Sequence, residues 1–398
     1  MWNESSSVKL QLGLEVCAEA PPAVLKGARL GVLANAASVD RDWQDTSAVL
    51  QRALPGSLAA VFAPQHGFWG QEQANMIETA HARDPRFDVP LYSLYSEVRQ
   101  PTEEMLADLD VLVIDLQDVG CRVYTFLWTV LECLHACARN DLRVVVLDRP
   151  NPLGGAVVQG PLLNMEFSSF VGGMPMPMRH GLTLGEAARW MRDALDIQVD
   201  LQVIPVRGWT RPQRFEDLSR KWVPTSPNLP TMESVSVYPG QVLLEGTNLS
   251  EGRGTTLPFQ LVGAPYIDAL VLTEALTSQS IPGVLFRPVR FRPEFDKWAG
   301  SSCGGIGMQV TSFGEFNPYH TSVMILEAVH RLWPAEFAWR EPPYEYEAVH
   351  WPIDIISGSD ELRIAVDAQC VPDSLAAIVE VDADDWLQRT HAARMYDA

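Results

Sequence analysis

Taken as a string of apolar and polar positions, the first half of the chain alternates between two periods. Four short runs are almost continuously apolar: "RLGVLA" (29–34), "LAAVFA" (58–63), "VLVIDL" (111–116) and "RVVVLD" (143–148). A strand covered on both faces has no polar side, so these runs predict interior strands of a parallel sheet. Between them apolar residues recur at helical spacing, which predicts helices over 44–53, 101–108 and 126–140. Another helix is predicted over 183–195, where Thr183 and Glu186 have the spacing of a capping box, and "LQVIPV" (201–206) supplies a further strand. Strand–helix alternation of this kind predicts an α/β fold with a Rossmann-like, doubly wound, mostly parallel sheet.

After about residue 210 the texture changes. Prolines and glycines crowd "WVPTSPNLPTMESVSVYPG" and "LLEGTNLSEGRGTTLPF", which are expected to be shaped loops. From about 282, "PGVLFRPVRFRPEF" and "GGIGMQVTS" look like antiparallel strands, followed by a helix over 319–333. The expected organisation is a larger Rossmann-like part, 1–275, and a smaller C-terminal α+β part, 276–398.

Composition narrows the function. At 47% hydrophobic and 20% charged residues the chain is of ordinary globular type. No run approaches eighteen consecutive apolar residues, so no spanning helix is expected. "MWNESSSVKLQLG" lacks the basic start and apolar core of a secretory signal, so a cytoplasmic location, or a mature or trimmed form of an exported protein, is expected. A formal charge of −20 disfavours nucleic acid and anionic polymers as bulk partners, while leaving room for a small anion in a local arginine pocket. Cys17, Cys121, Cys133, Cys137, Cys303 and Cys370 have no zinc-site spacing and read as reduced, mostly buried thiols.

In open parallel sheets ligands bind beyond the carboxyl ends of the strands. Three consecutive strand ends here carry polar clusters. Gln65, His66, Glu72, Asn75 and Glu78 follow the second run. Asp115, Gln117, Asp118, Arg122 and Tyr124 close the third, and Asp148, Arg149 and Asn151 the fourth. Together they predict one convergent pocket, although Asp115 and Asp118 have the alternative of capping a helix, and Arg149 of anchoring the turn at "RPNP". His180, just before the helix at 183, is either a loop cap or a substrate contact. In the second half "EGTNLSEGRGTT" (245–256) holds Glu245, Asn248, Glu251 and Arg253. No glycine fingerprint follows the first strand and no phosphate-loop motif is present, so neither a dinucleotide nor any other cofactor is expected. Paired acids among amides, arginines and aromatic residues suit carbohydrate chemistry, in which one carboxyl protonates a glycosidic oxygen and another assists from the opposite side. Metal dependence is not expected, because His66, Asp115 and Asp118 lack a ligand spacing.

The stretches "LKGARLGVLAN", "PQHGFWG", "DVLVIDLQDVGCRVYT", "VLDRPNPLGG", "MPMRHGLTLGE", "SPNLPTMES", "YPGQVLLEGTNLSEGRGTTLPF" and "IDIISGSDELR" resemble, motif by motif, the DUF1343 or YbbC-like family of exo-β-N-acetylmuramidases (NamZ type, glycoside hydrolase family 171). The resemblance spans roughly residues 12 to 370. It implies a two-part fold with the active site in the cleft between the parts, and removal of terminal N-acetylmuramic acid from the non-reducing end of peptidoglycan fragments. It also implies a lactyl carboxylate to be held, with Arg122, Arg149, Arg179 and Arg253 as candidates.

The family pattern has Pro-Glu-His-Gly where this chain has Pro64-Gln65-His66-Gly67. A glutamine neither donates an acidic proton nor acts as a carboxylate. The expectation is therefore that Glu245 or Glu251 supplies one carboxyl and Glu72 or Glu78 the other, with His66 beside them. Gln65, Asp115, Arg122, Tyr124, Asp148, Arg149, Asn151, His180, Asn228, Asn248 and Arg253 would line a saccharide pocket. The rival expectation is a catalytically silent muropeptide- or sugar-binding protein that keeps the cleft without the acid. A metal-dependent hydrolase of another bond is a third possibility, and a chelator would inactivate it.

Overall fold

The computed structural model describes residues 10–73, 76–370, 375 and 378–397; Asn75, named above, lies outside them. The four predicted buried strands are present, as β1 (Leu30–Ala34), β2 (Leu58–Ala63), β5 (Val111–Asp115) and β6 (Arg143–Leu147), and so is the further strand, as β9 (Leu201–Ile204). With β3 (Ala82–Asp84) and β4 (Val89–Ser93) they form a seven-stranded sheet in the order β3-β4-β2-β1-β5-β6-β9, parallel throughout except for β3 against β4. Chain order reverses between β1 and β5, which makes that crevice the switch point of the sheet.

Both faces are covered, as the unbroken apolar runs require. Val61, Val32, Val111, Val113 and Val145 pack with Leu14 and Leu50 on one side. Their chain neighbours Phe62, Leu33, Leu112, Ile114, Val144 and Val146 point into the larger core on the other. The helix Phe126–Arg139 is buried nearly all round, and Leu184–Ala194 begins with the predicted Thr183–Glu186 capping box. Where a helix was predicted over 101–108, only one turn forms, Glu103–Leu106.

The region expected to be loops contains a helix, Met232–Gln241, and a 3₁₀ extension, Val242–Gly246. Thr231 caps it, and Pro239 sits near its end, where little helix remains to break. Gly240 explains the composition: a Cβ there would stand 1.8 Å from the Pro318 carbonyl oxygen. The glycine thus lets this helix lie directly on the next one, Pro318–Leu332.

Beyond it, β10 (Leu261–Ala264), β12 (Cys303–Val310) and β11 (Val284–Phe291) form an antiparallel sheet in that order. The expected boundary at 275 falls within the helix Ala269–Ser278, between two strands of this one sheet. A small ribbon, β7 (Gln159–Leu162) with β8 (Pro177–Arg179), lies near Arg122. No described helix is long and apolar enough to cross a membrane.

Candidate active site

Beyond the end of β2 the chain turns through Pro64-Gln65-His66-Gly67, with the Gly67 amide donating to the Pro64 carbonyl over 3.1 Å. His66 and Gly67 both have positive φ, 72° and 74°. A histidine held there is strained, and strain of this kind gathers at functional sites. The turn points Gln65 inward. Its Oε1 accepts from the Thr125 hydroxyl at 2.6 Å, and its Nε2 donates to Glu345 Oε1 at 3.3 Å.

Glu345 is the residue that sequence reasoning missed. It sits at the tip of the tight hairpin Tyr344–Glu347, whose two ends exchange backbone hydrogen bonds of 2.9 Å. Glu345 and Tyr346 take the two central positions with φ of 45° and 69° and neither is a glycine, so the turn is held in shape by its surroundings. The Tyr95 hydroxyl donates to Glu345 Oε2 at 2.6 Å. Burial pushes this carboxyl above the usual range and Glu245 pushes it the same way, with the bonds from Tyr95 and Gln65 opposing. Arg99 lies 4.2 Å from the ring centres of both Tyr95 and Tyr346 and braces the hairpin from outside.

The second carboxyl is Glu245, in the 3₁₀ turn that ends the helix from Met232. Arg253 reaches it at 2.7 Å and the Tyr344 hydroxyl donates to it at 2.6 Å, so Glu245 and Glu345 are held by adjacent points of one hairpin. His66 accompanies them. Its Nδ1 lies 2.7 Å from the Glu72 carbonyl, which can only accept, so Nδ1 carries the proton and Nε2 is left as an acceptor. Burial lowers its pKa to about 4, making it a neutral imidazole at ordinary pH.

Gln65, His66, Tyr124, Thr125, Ser226, Asn228, Tyr238, Arg253, Phe259, Tyr344 and Glu345 enclose a cavity of about 30 Å³. That is room for one or two waters, so a sugar ring enters only if the hairpin or the segment 65–73 moves outward. Asn228 donates to the Gln73 carbonyl at 2.6 Å and so ties that loop down.

Of the residues expected to converge, Gln65, His66, Tyr124, Asn228 and Arg253 line this cavity, and Glu245 lies behind Arg253. The others are placed elsewhere. Glu251 is buried against Lys297 at 2.7 Å; burial raises its carboxyl, but Lys297 and Arg253 more than offset this and hold it low. The Glu72 side chain turns to Gln71 in solvent, and only its carbonyl serves the site. Glu78 stands on the exposed rim, 3.3 Å from the Tyr346 hydroxyl. Asn248 binds the Glu336 carbonyl and the Tyr266 hydroxyl.

The acids and amides at the third and fourth strand ends serve the interior instead. Asp115 pairs with Arg149 at 2.5 Å under Thr46. Asp148 takes the Thr183 hydroxyl, the Gly185 amide and the Tyr396 hydroxyl. Asn151 holds the Leu182 carbonyl, and His180 faces Asp118 at 3.3 Å while accepting from the Leu182 amide. Arg122 donates to the carbonyls of Pro161, Met176, Ile356 and Ser357 at 2.8 to 3.0 Å. Arg179 binds Gln159 and the Leu153 carbonyl. Of the four arginines considered for a substrate carboxylate, only Arg253 reaches the cavity, and it is already paired. Buried polar groups need partners wherever they lie, and these strand ends are fully buried. Among the described residues no cluster of three or more His, Cys, Asp or Glu is arranged to hold a metal.

Comparison with known proteins agrees with this architecture. Residues 30–233 match the family model for the N-terminal part of exo-β-N-acetylmuramidase NamZ, and residues 236–396 the model for its C-terminal part. The peptidoglycan β-N-acetylmuramidase NamZ of Bacillus subtilis (strain 168) is 41% identical over 329 residues, covering 83% of this chain and 79% of the relative. Crystal structures of two DUF1343 family proteins of Bacteroides fragilis superpose with TM-scores of 0.88 and 0.76, at 30% and 26% identity. Each covers 98% of this chain, and the match takes in 100% and 99% of those proteins. With both family models matching in sequence over nearly its whole length, the chain belongs to the NamZ family of exo-β-N-acetylmuramidases.

Proposed function

We propose that this protein is a glycoside hydrolase that releases terminal N-acetylmuramic acid from the non-reducing end of peptidoglycan fragments. Family membership supports the reaction, and one observation carries the chemistry: Glu345, joined to Gln65 and Tyr95 in the buried cleft, supplies a carboxyl where the residue at position 65 does not. Glu345 is the proton donor. Burial raises its pKa above that of an exposed glutamate, the direction a general acid requires.

As the glycosidic bond breaks, the Glu345 proton passes to the leaving oxygen and positive charge builds at the anomeric carbon. Glu245, which Arg253 and the Tyr344 hydroxyl hold behind the cavity wall, is the second carboxyl, and takes the proton of the attacking water once the site opens to admit the sugar. Gln65 aims the Glu345 carboxyl, and His66 Nε2 accepts a hydrogen bond from the bound sugar. A silent binding protein does not need a carboxyl whose pKa is raised by burial beside a second, separately held one.

Hydrolysis of a chromogenic β-N-acetylmuraminide, with the N-acetylglucosaminide as control, tests this reading. Turnover specific to the muraminide and reduced about 10²-fold or more in Glu345→Gln supports it. Folded wild-type protein that turns over neither sugar, or Glu345→Gln with full activity, overturns it.

A further inference from the structure

The carboxylate cleft is not the roomiest cavity at this edge of the sheet. At the switch point between β1 and β5 lies another, of about 360 Å³, within the range of small-molecule sites. Its floor is Ala37 and Val39 after β1, Gln117 after β5, and Arg149 and Pro150 after β6. Phe215 and the segment 218–223 form its roof.

Two of its properties are unusual for this chain. Although the protein carries a net charge of −20, Arg41, Arg149, Arg220 and Lys221 face the cavity, with Asp40 the one acid on its lining. Asp115 neutralises Arg149, but Arg41 and Arg220 share the single carboxylate of Glu15, at 3.1 and 2.5 Å. Burial raises that carboxyl, yet the two guanidiniums pull it down to about 2. Lys221 is exposed and has no ion pair among the described residues. Asp40 and Asp42 also act on Arg41, so Lys221 is the lining cation left without an ion-pair partner among the described residues.

The second property is a presented aromatic. Trp43 is 61% exposed and sits at φ 61°, a conformation that bulky side chains rarely adopt. The loop holding it is built: Asp40 Oδ1 accepts from the backbone amides of Asp42 and Gln44 at 2.9 and 2.8 Å. Trp222, edge-on to Phe215 at 5.2 Å, supplies a second aromatic wall.

We propose that this cavity is a second binding site, for a pyranose sugar bearing a carboxylate or phosphate, its apolar face on Trp43 and its anion on Lys221 and the Arg41–Arg220 pair. The aromatic face suits the C–H face of the ring, and paired guanidiniums suit a two-oxygen anion. The roof segment continues as Ser226, Asn228 and Leu229 into the wall of the carboxylate cleft, so the two cavities share one strap. The site does not depend on the muramidase reading.

Calorimetric titration of the full chain with N-acetylmuramic acid, N-acetylglucosamine 6-phosphate and N-acetylglucosamine tests it, using wild type, Lys221→Glu and Trp43→Ala. The expected result is that at least one of the acidic sugars binds. Its affinity falls about tenfold or more in each variant, as loss of a charged contact predicts, and the neutral sugar binds about tenfold more weakly. N-acetylmuramic acid is also the product of the carboxylate cleft, so the part of its binding that is lost in Lys221→Glu and Trp43→Ala, compared with the part lost for the phosphate sugar, identifies the natural anion. Muraminide turnover is unchanged in both variants, because neither residue lines the carboxylate cleft; absence of turnover in wild type would count against the muramidase reading and leave the titration valid. Equal binding of the acids in wild type and both variants, equal binding of the neutral sugar, or no binding of either acid overturns the proposal.

Discussion

Gln65 donates to Glu345 over 3.3 Å although 280 residues separate them in the chain. This contact gives the amide at this position a role in this chain. A glutamate here would stand against a second carboxyl, and two such groups cannot both ionise. The amide leaves Glu345 as the one titrating member of the contact and fixes its direction. Gln65→Glu is therefore expected to create a dyad that shares a proton and to move the alkaline limb of kcat/KM upward by about one pH unit or more. An unmoved limb would show that Glu345 is not the acid.

The wild-type pH profile follows from the same carboxyl. With its pKa raised, Glu345 is protonated below that value and loses its proton above it, so activity falls on the alkaline side. Tyr95 stabilises the ionised form, and Tyr95→Phe is expected to shift this limb to still higher pH. His66, at about 4, contributes no limb near 6.5. An alkaline limb that persists in Glu345→Gln would assign it to another group.

Asp148 gives stability a pH slope. Burial raises it from 3.8 to about 6, so the folded site favours the proton. Its contribution is complete below about pH 4 and is lost as pH rises through 6, roughly 3 kcal/mol at 1.36 kcal/mol per pKa unit. Thermal melts from pH 4 to 7 should show that slope in wild type and a flatter curve in Asp148→Asn. Parallel curves would refute the assignment.

Arg122 should behave as a fastener. Arg122→Leu strands four buried carbonyls and is expected to lower stability by about 3–5 kcal/mol, with Arg122→Lys intermediate. KM of whatever folds should not change. A raised KM with an unchanged Tm would return Arg122 to the substrate.

The parallel strands were legible because a strand buried on both faces shows itself as an unbroken apolar run. The helix Met232–Gln241 was hidden by Pro239 and Gly240, residues that usually end helices and here let two helices touch. At the site, Gln65, His66, Glu245 and Arg253 stood out as polar groups among glycines. Asp115, Asp148 and Arg149 gave the same signal for a different reason, since the interior needs acids and guanidiniums to satisfy buried polar groups. Glu345 gave no periodic signal at all. Only its place in "PPYEYE", a short polar and aromatic turn after two prolines, hinted at a shaped loop, and nothing local reports a partner 280 residues away.

The bond from Tyr396 to Asp148 joins residues 248 apart, and the Asp397 carbonyl accepts from the Arg211 amide close by. On the ribosome, at about 5–20 residues per second, Asp148 waits roughly 12–50 s for that partner. The seven-stranded sheet can form during this interval, but one of its buried acids stays without its phenol until Tyr396 has left the exit tunnel. Completing this site thus depends on a residue made 248 positions after Asp148, and nascent chains stalled before Tyr396 should be cleaved by protease near the Thr183 cap more readily than chains stalled well beyond it.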